Sequence, residues 1–367
     1  MDIRKNVSLA QYTTFGIGGP ADEFVVVKSS DELIEAIQYA KSKNIPFFVL
    51  GTGANILVGD KGFRGLVIKN EASKFVIASD SEAISIDKIA TSPSASRLAP
   101  ESTQGAAKRA LRIPRNDNSI LFTAESGAVM SDLIEMTMQK GLSGFEHFAG
   151  IPSTIGGALW QNLHFLSSNR KETMFIGDIL ESAQILPIPI DKIATSPSAS
   201  RLAPESTQGA AKRALRIPRN DVLETRIVNK SYFHFGYDTS SLHTTRDVVL
   251  SAMFVLSPED PHVIQERITA NLLWRQEKHP EDATSCSAGS IFRKIKDRGA
   301  GRLIEQVGLK GHTIGGAKIS DRHANFIINT GGATARNVVD LIDLVKKKVY
   351  DDLGLKMELE ISLVGEF

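Results

Sequence analysis

The chain has 367 residues, 42% hydrophobic and 23% charged, with a formal net charge of +1. That length fits two domains, or two plus insertions, and the balance is that of a soluble globular protein rather than a disordered one. A single cysteine, Cys286, excludes an intrachain disulfide and points to a reducing compartment.

The first residues, MDIRKNVSLAQ, lack the apolar core of a signal peptide, and no apolar run approaches the roughly 18 residues a membrane helix needs. A cytoplasmic protein without a membrane partner is expected. Residues 22–27 read as a strand. Residues 30–43 read as a helix, with Ser30 at the N-cap position and Leu33, Ile34, Ile37 and Ala40 on one face. A strand over 46–50 runs into the glycine-rich LGTGANILV, 50–58. Residues 131–140 form a short helix stopped by Gly141. A second glycine-rich run, GIPSTIGGALWQN, fills 150–162. Residues 222–256 read as strands and 263–278 as a helix. An amphipathic helix follows over 337–353, capped by Thr334 and ended by Gly354. The period-two pattern of 355–364 predicts a closing strand that puts Glu358 and Glu360 on one face. The pattern divides the chain into two α+β parts, 1–256 and 257–367.

One stretch interrupts this order. IDKIATSPSASRLAPESTQGAAKRALRIPRND occurs unchanged at 86–117 and at 190–221. Two copies this far apart do not make a solenoid, whose units must stack side by side. Identity this complete points to a copied or mobile segment inserted in frame. Its Ser, Pro and Ala content favours disorder. Each copy carries six basic and three acidic residues, so without both the net charge is −5. With no interleaved aromatics, the basic segments do not read as a nucleic-acid grip. Insertions survive best at exposed loop tips, so both are expected at hairpin tips of one domain.

The glycine loops suit an anion, because residues without Cβ let backbone N–H groups approach a diphosphate. Neither is a Walker A loop, and neither opens the first helix of a Rossmann unit. Each alone also reads as a tight connection. Small residues around Ser290, in SAGSIF, leave its hydroxyl room to approach a ligand. No cluster has metal-ligand spacing, so no metal is expected.

Taken together, TTFGIGGPADEF, LGTGANILV, GFEHFAGIPSTIGGA, SAGSIF, AGRLIEQVGLKG, IGGAKISDRHANFIIN and MELEISLVG occur in the order found in the UDP-N-acetylenolpyruvoylglucosamine reductases. The chain resembles that family over nearly its whole length outside the two copies. The resemblance implies an α+β fold, with a two-lobed FAD domain of the vanillyl-alcohol-oxidase (PCMH) type over 1–256 and a smaller substrate domain over 257–367. It implies FAD contacts at Gly51, Thr52, Gly53, Ala54 and Asn55, and at Gly150, Ile151, Pro152, Ile155, Gly156, Gly157 and Ala158. It implies reduction of an enolpyruvyl nucleotide sugar to UDP-N-acetylmuramate with NADPH, in a monomer that serves cell-wall synthesis. A hydride would reach C3 from flavin N5 and a proton would reach C2 from Ser290. Glu360 matches the second catalytic residue, a protonated acid that polarises the enolpyruvate. Periodicity alone does not separate it from Glu358. Lys278 lies where the family often holds a cation for the substrate diphosphate. His323, Asn325 and Asn329 read as structural unless a pocket holds them.

The pattern breaks in one place. Where the family has Tyr-Arg-x-Ser, this chain has Tyr237-Asp238-Thr239-Ser240, so an aspartate takes the place of the arginine that balances the enolate. An asparagine and a proline after the serine motif are replaced by Lys294 and Ile295, and the second loop continues as Asn162-Leu163-His164-Phe165. A subfamily with a repositioned cation at Arg293, Lys294 or Arg275 is expected. Its rivals are a binding protein that holds flavin or nucleotide sugar without turnover, and a different oxidoreductase on the same FAD domain.

Overall fold

A computed structural model describes residues 1–78, 119–166, 172–188, 223–279 and 286–367. The first lobe holds β1 (Arg4–Ser8), β2 (Pro20–Val27), β3 (Phe47–Leu50), β4 (Ile56–Val58) and β5 (Phe63–Asn70), with helix α1 (Ser30–Lys43). Its four-stranded sheet has the order β1-β2-β5-β3, with the last three strands parallel. The crossover through α1 that parallel pairing requires buries Leu33, Ala36, Ile37 and Ala40 against Val25, Val27, Leu66 and Ile68. The helix begins one residue from the expected cap. Ser29 is extended and its Oγ accepts from Glu32 N, whereas the Ser30 hydroxyl donates to Glu125 Oε1 and to Leu250 O. Ser30 therefore joins α1 to the second lobe instead of capping it.

The second lobe is built from β6 (Phe75–Ala78), β7 (Ile120–Glu125), β8 (Leu142–Ser143), β9 (His164–Leu166), β10 (Thr173–Phe175), β11 (Leu180–Leu186), β12 (Arg226–Asn229) and β13 (Val248–Pro258). Its main sheet has the order β12-β11-β13-β7-β6, with β8 added on β13. Helices α2 (Met130–Gln139) and α3 (Ile155–Gln161) cover one face over a core that includes Phe122, Phe145, Phe148 and Phe254. Residues 222–256 are only partly strand. Between β12 and β13 the chain passes through a 3-10 turn and through His234, Asp238 and Arg246, all at positive φ, which extended strands exclude.

The two 32-residue copies lie outside the described residues, but their flanks are informative. β6 pairs antiparallel with β7, and β11 with β12, so each copy separates two strands that are partners. The last pairs are Ala78↔Leu121, near the Leu256 end of β13, and Ile185↔Arg226, near its Val248 end. The copies thus enter at opposite edges and opposite ends of one sheet. Shortening a hairpin connection lowers its closure entropy by on the order of 1 kcal/mol. Deleting both copies is therefore expected to hold or raise the Tm, and a fall of several degrees in a melting scan would show that they are structural.

Helix α4 (Pro261–Lys278) leaves the second lobe with Ile264 and Ile268 in its core. The C-terminal part then forms the sheet β14 (Ser287–Ser290), β17 (Phe326–Asn329), β16 (Ala317–Ile319) and β15 (Thr313–Ile314), in that order. Helices α5 (Ala300–Gln306) and α6 (Ala335–Leu353) pack on it. Thr334 and Asn337 form a capping box on α6, and Gly354 ends it at φ 66°, as its sequence predicts. The first lobe contributes as well, since both Asp60 oxygens accept from the α6 backbone at Ala335 and Arg336. The closing strand is shorter than the 355–364 expected. Only β18 (Ser362–Val364) is regular, pairing parallel with β4, while Leu359 bridges Phe292. The segment meets two partners in succession, which breaks one ladder into two short ones.

Candidate active site

The two glycine loops meet. Thr52 Oγ1 donates to Pro152 O at 3.2 Å, and a Cβ on Gly51 would lie 2.7 Å from Thr154 Oγ1. Gly53 sits at φ 70°, where a Cβ would come within 2.2 Å of Tyr12 O. Close protein packing therefore requires Gly51 and Gly53, as the tight-connection reading held. Gly157 differs, because an added Cβ would meet only ordinary contacts at 3.4 Å and beyond. Beneath the first loop, Lys69 Nζ donates to Gly51 O at 2.7 Å, and burial pushes its amine below the usual lysine range. Two small-residue loops with a cation behind them fit a diphosphate. Gly53→Ala combines a left-handed φ with a backbone overlap, a cost on the order of 1–3 kcal/mol. Weakened retention of a diphosphate-bearing ligand and a lower Tm are expected, and unchanged values in a ligand-release titration and a melting scan would contradict this.

TTFGIGG ties the first loop to β14. Thr14 N donates to Gly53 O at 3.2 Å, and its hydroxyl donates to Ser287 O at 2.7 Å. Ser290 ends β14 opposite Phe326 and is half-buried, while Gly289 at φ 76° has no atom within 4 Å of a built Cβ. The following residues run against the C-terminal segment, with Glu360 N donating to Ile291 O at 2.9 Å and Arg293 N to Glu358 O at 2.9 Å. The Glu360 carbonyl accepts from Asn55 Nδ2 at 3.4 Å and from Gln161 Nε2 at 3.5 Å. Asn55 belongs to the first glycine loop, and Gln161 ends the helix that the second loop opens. Three motifs far apart in sequence therefore converge on one residue.

The structure separates the two glutamates that periodicity leaves equal. Glu358 is exposed. Burial, reinforced by Asp238 and opposed by Arg293, raises the Glu360 carboxyl to about 8. Such a group is a neutral acid at pH 7 and can donate a hydrogen bond to an anion.

Asp238 lies in the same cluster. It is 2% exposed, sits at φ 53° and belongs to a tight turn closed by Gly236 N on Thr239 O at 3.0 Å. Asn162 Nδ2 holds that turn through Gly236 O at 2.9 Å. Asp238 Oδ1 lies 3.5 Å from His164 Nδ1, and Arg293 Nη2 donates to Asp238 O at 3.2 Å. Lys294 Nζ stands 4.2 Å from the centre of the Tyr237 ring. Of the three cations expected as replacements, Arg293 and Lys294 therefore reach this turn. Arg275 lies instead over Phe165, at 5.5 Å, and against Gly150.

Lys278 is half-exposed at the end of α4, ion-paired with Glu277. Asn325 brackets the Phe292 backbone, and Asn329 donates to Phe15 O and accepts from Gly331 and Ala333. His323 Nδ1 accepts from Asn325 N. These three hold loops, the structural role expected outside a pocket. Sequence reasoning assigned no role to His164 or Gln161. The only signal for His164 was its place in the segment that departs from the family pattern. Among the described residues no group of three or more His, Cys, Asp or Glu could hold a metal, and no helix is long and apolar enough to cross a membrane.

Residues 279–364 match the family described as UDP-N-acetylenolpyruvoylglucosamine reductase, C-terminal domain, and residues 21–90 match the FAD binding domain. The UDP-N-acetylenolpyruvoylglucosamine reductase of Caldanaerobacter subterraneus is 32% identical over 98% of this chain and 93% of its own length. That of Moorella thermoacetica is 32% identical over 100% of this chain and 94% of its own. The crystal structure of the Thermus caldophilus enzyme superposes with a TM-score of 0.63 at 25% identity, covering 99% of this chain and 100% of that one.

Proposed function

The chain belongs to the UDP-N-acetylenolpyruvoylglucosamine reductase family, and from that premise we propose that it reduces UDP-N-acetylglucosamine enolpyruvate to UDP-N-acetylmuramate, using FAD and NADPH, in peptidoglycan precursor synthesis. The observation that carries this is the convergence on Glu360 of Asn55, Gln161 and the Ser290 segment. The two glycine loops that would hold a nucleotide cofactor are thereby tied to the Glu360 backbone.

The residues at 51–55 and 150–158 would hold FAD, with Lys69 supporting the first loop against the diphosphate. When bound, FAD supplies two-electron transfer that a protein side chain lacks. The chain's own work is proton handling and charge. Ser290 gives its hydroxyl proton to C2 of the enolpyruvyl group, a strongly basic carbon once the enolate forms. Glu360, neutral at pH 7, donates a hydrogen bond to the enolate oxygen, where negative charge develops. Lys278 is assigned to the substrate diphosphate, swinging from its exposed pair with Glu277. The domain division at 256/257 belongs to the same reading, with α4 joining the parts. So do a monomeric state and a cytoplasmic location.

The test is to purify the protein, record its flavin spectrum, and follow NADPH oxidation with and without the enolpyruvyl nucleotide sugar. Oxidation coupled to the nucleotide sugar supports the reductase. Oxidase activity indifferent to it would overturn the reading in favour of another oxidoreductase, and bound flavin without turnover would favour a binding protein.

A further inference from the structure

The family arrangement implied by the sequence puts an arginine where this chain has a buried aspartate. A bare carboxylate there would oppose both the substrate carboxylate and the enolate. Two observations show how the chain avoids this. Asp238 Oδ1 lies 3.5 Å from His164 Nδ1, and its Oδ2 is buried with no hydrogen-bond partner. Arg293 is anchored by one Nη2 bond to Asp238 O, and its Nε is likewise buried without a partner. The guanidinium is thus anchored through Nη2 and keeps an unused donor at Nε.

We propose that Arg293 is the cation facing the substrate carboxylate in this chain, and that His164 and Asp238 are a proton-sharing pair that positions it and keeps the site from turning negative. The proposal rests on the reductase reading above.

Charge counting supports it. Whichever of His164 and Asp238 holds the shared proton, the pair has no net charge. Arg293 and Lys294 then leave the cluster positive, as the single arginine of the family pattern does. Burial pushes the Asp238 carboxyl up and the His164 imidazole down, which favours the neutral form of each. The other facing groups fit. Burial holds the Tyr237 phenol near 12, so it stays neutral, and Glu360 is neutral at pH 7. Lys294 is occupied with the Tyr237 ring. His243 is pushed down to about 4 by burial and by Arg246 and Arg293, so it adds no competing charge. Backbone geometry contributes too, because Asp238 tolerates the left-handed φ of 53° that aims its carbonyl at Arg293.

The test uses the full-length flavoprotein and two probes, the enolpyruvyl nucleotide sugar and UDP-N-acetylglucosamine, which lacks the carboxylate. Dissociation constants come from calorimetric titration at pH 7. The wild type is expected to prefer the carboxylate-bearing probe. Arg293→Met should weaken that probe by about tenfold or more and leave the other within about threefold, the signature of a lost charge-assisted bond. Arg293→Lys should restore part of the loss. His164→Gln leaves Asp238 a bare carboxylate and should also weaken the carboxylate probe by about tenfold, whereas His164→Gln with Asp238→Asn is neutral again and should return to within about threefold of wild type. Rescue by the double change separates charge from packing. If wild type shows no preference between the probes, the reductase reading fails. If it shows the preference and Arg293→Met keeps it, the Arg293 assignment alone is overturned. If the double variant stays as weak as His164→Gln, the pair's neutralising role is overturned.

Discussion

Ser290→Ala slows substrate reduction by about 10²–10⁴-fold, the range of a removed general acid. Ser290 ends a strand bonded to β17, and an alanine keeps that backbone pairing. Flavin retention and the Tm are therefore expected to match wild type. Stopped-flow absorbance separates the steps. Bleaching by NADPH without nucleotide sugar should be unchanged, and recovery on adding the enolpyruvyl nucleotide sugar should be slowed. Recovery at the wild-type rate would remove Ser290 from proton transfer.

Glu360→Gln has the second large effect, and it moves activity and stability in opposite directions. The amide keeps the size of the acid but is a weaker donor, and a loss of about 10²-fold or more is expected, as for a deleted oxyanion donor. Wild-type activity should fall as pH rises through about 8, where Glu360 loses its proton. The variant's small residual rate should lack that limb. Stability follows from the same shift. The folded carboxyl titrates near 8, against a usual value of 4.5, so between those values the folded state holds more protons than the unfolded one. Its contribution is fully present below 4.5 and is lost as pH rises through 8. Replacing an ionised buried carboxylate above pH 8 is thus expected to raise the Tm there by roughly 2–5 °C. Calorimetric scans at pH 5 and pH 9 check it, because the gain should be confined to the higher pH.

Much of the fold was legible because local rules governed it. Helix α6 carries its apolar stripe, its Thr334 cap and its Gly354 stop in contiguous residues, and the structure keeps all three. The failures have tertiary causes. Ser30 reads as a cap, but Glu125 and Leu250 of the other lobe compete for its hydroxyl, and Ser29 caps instead. The alternation over 355–364 is a true inside–outside signal, since Met357 and Ile361 are buried, yet it carries no information on which strands pair with it. The choice between Glu358 and Glu360 depends on the neighbours each meets, and those come from elements some hundreds of residues away. His164 shows the same limit. One histidine in a departing segment has no chemical meaning until Asp238 is set beside it.

The pairing of β18 with β4 sets an order of assembly. Ser362 lies opposite Ile56, and across the same junction Glu366 N donates to Gly62 O while Glu366 O accepts from Lys61 N. Three hundred residues of chain separate those partners, making this one of the least local contacts the protein forms, and such contacts close slowly. A nascent chain that has made the whole first lobe still lacks Glu360, which lies just before β18. Acquiring the acid group therefore waits on synthesis of the segment that carries β18, and a chain stalled short of it would expose β4 as an open edge suited to recognition by chaperones.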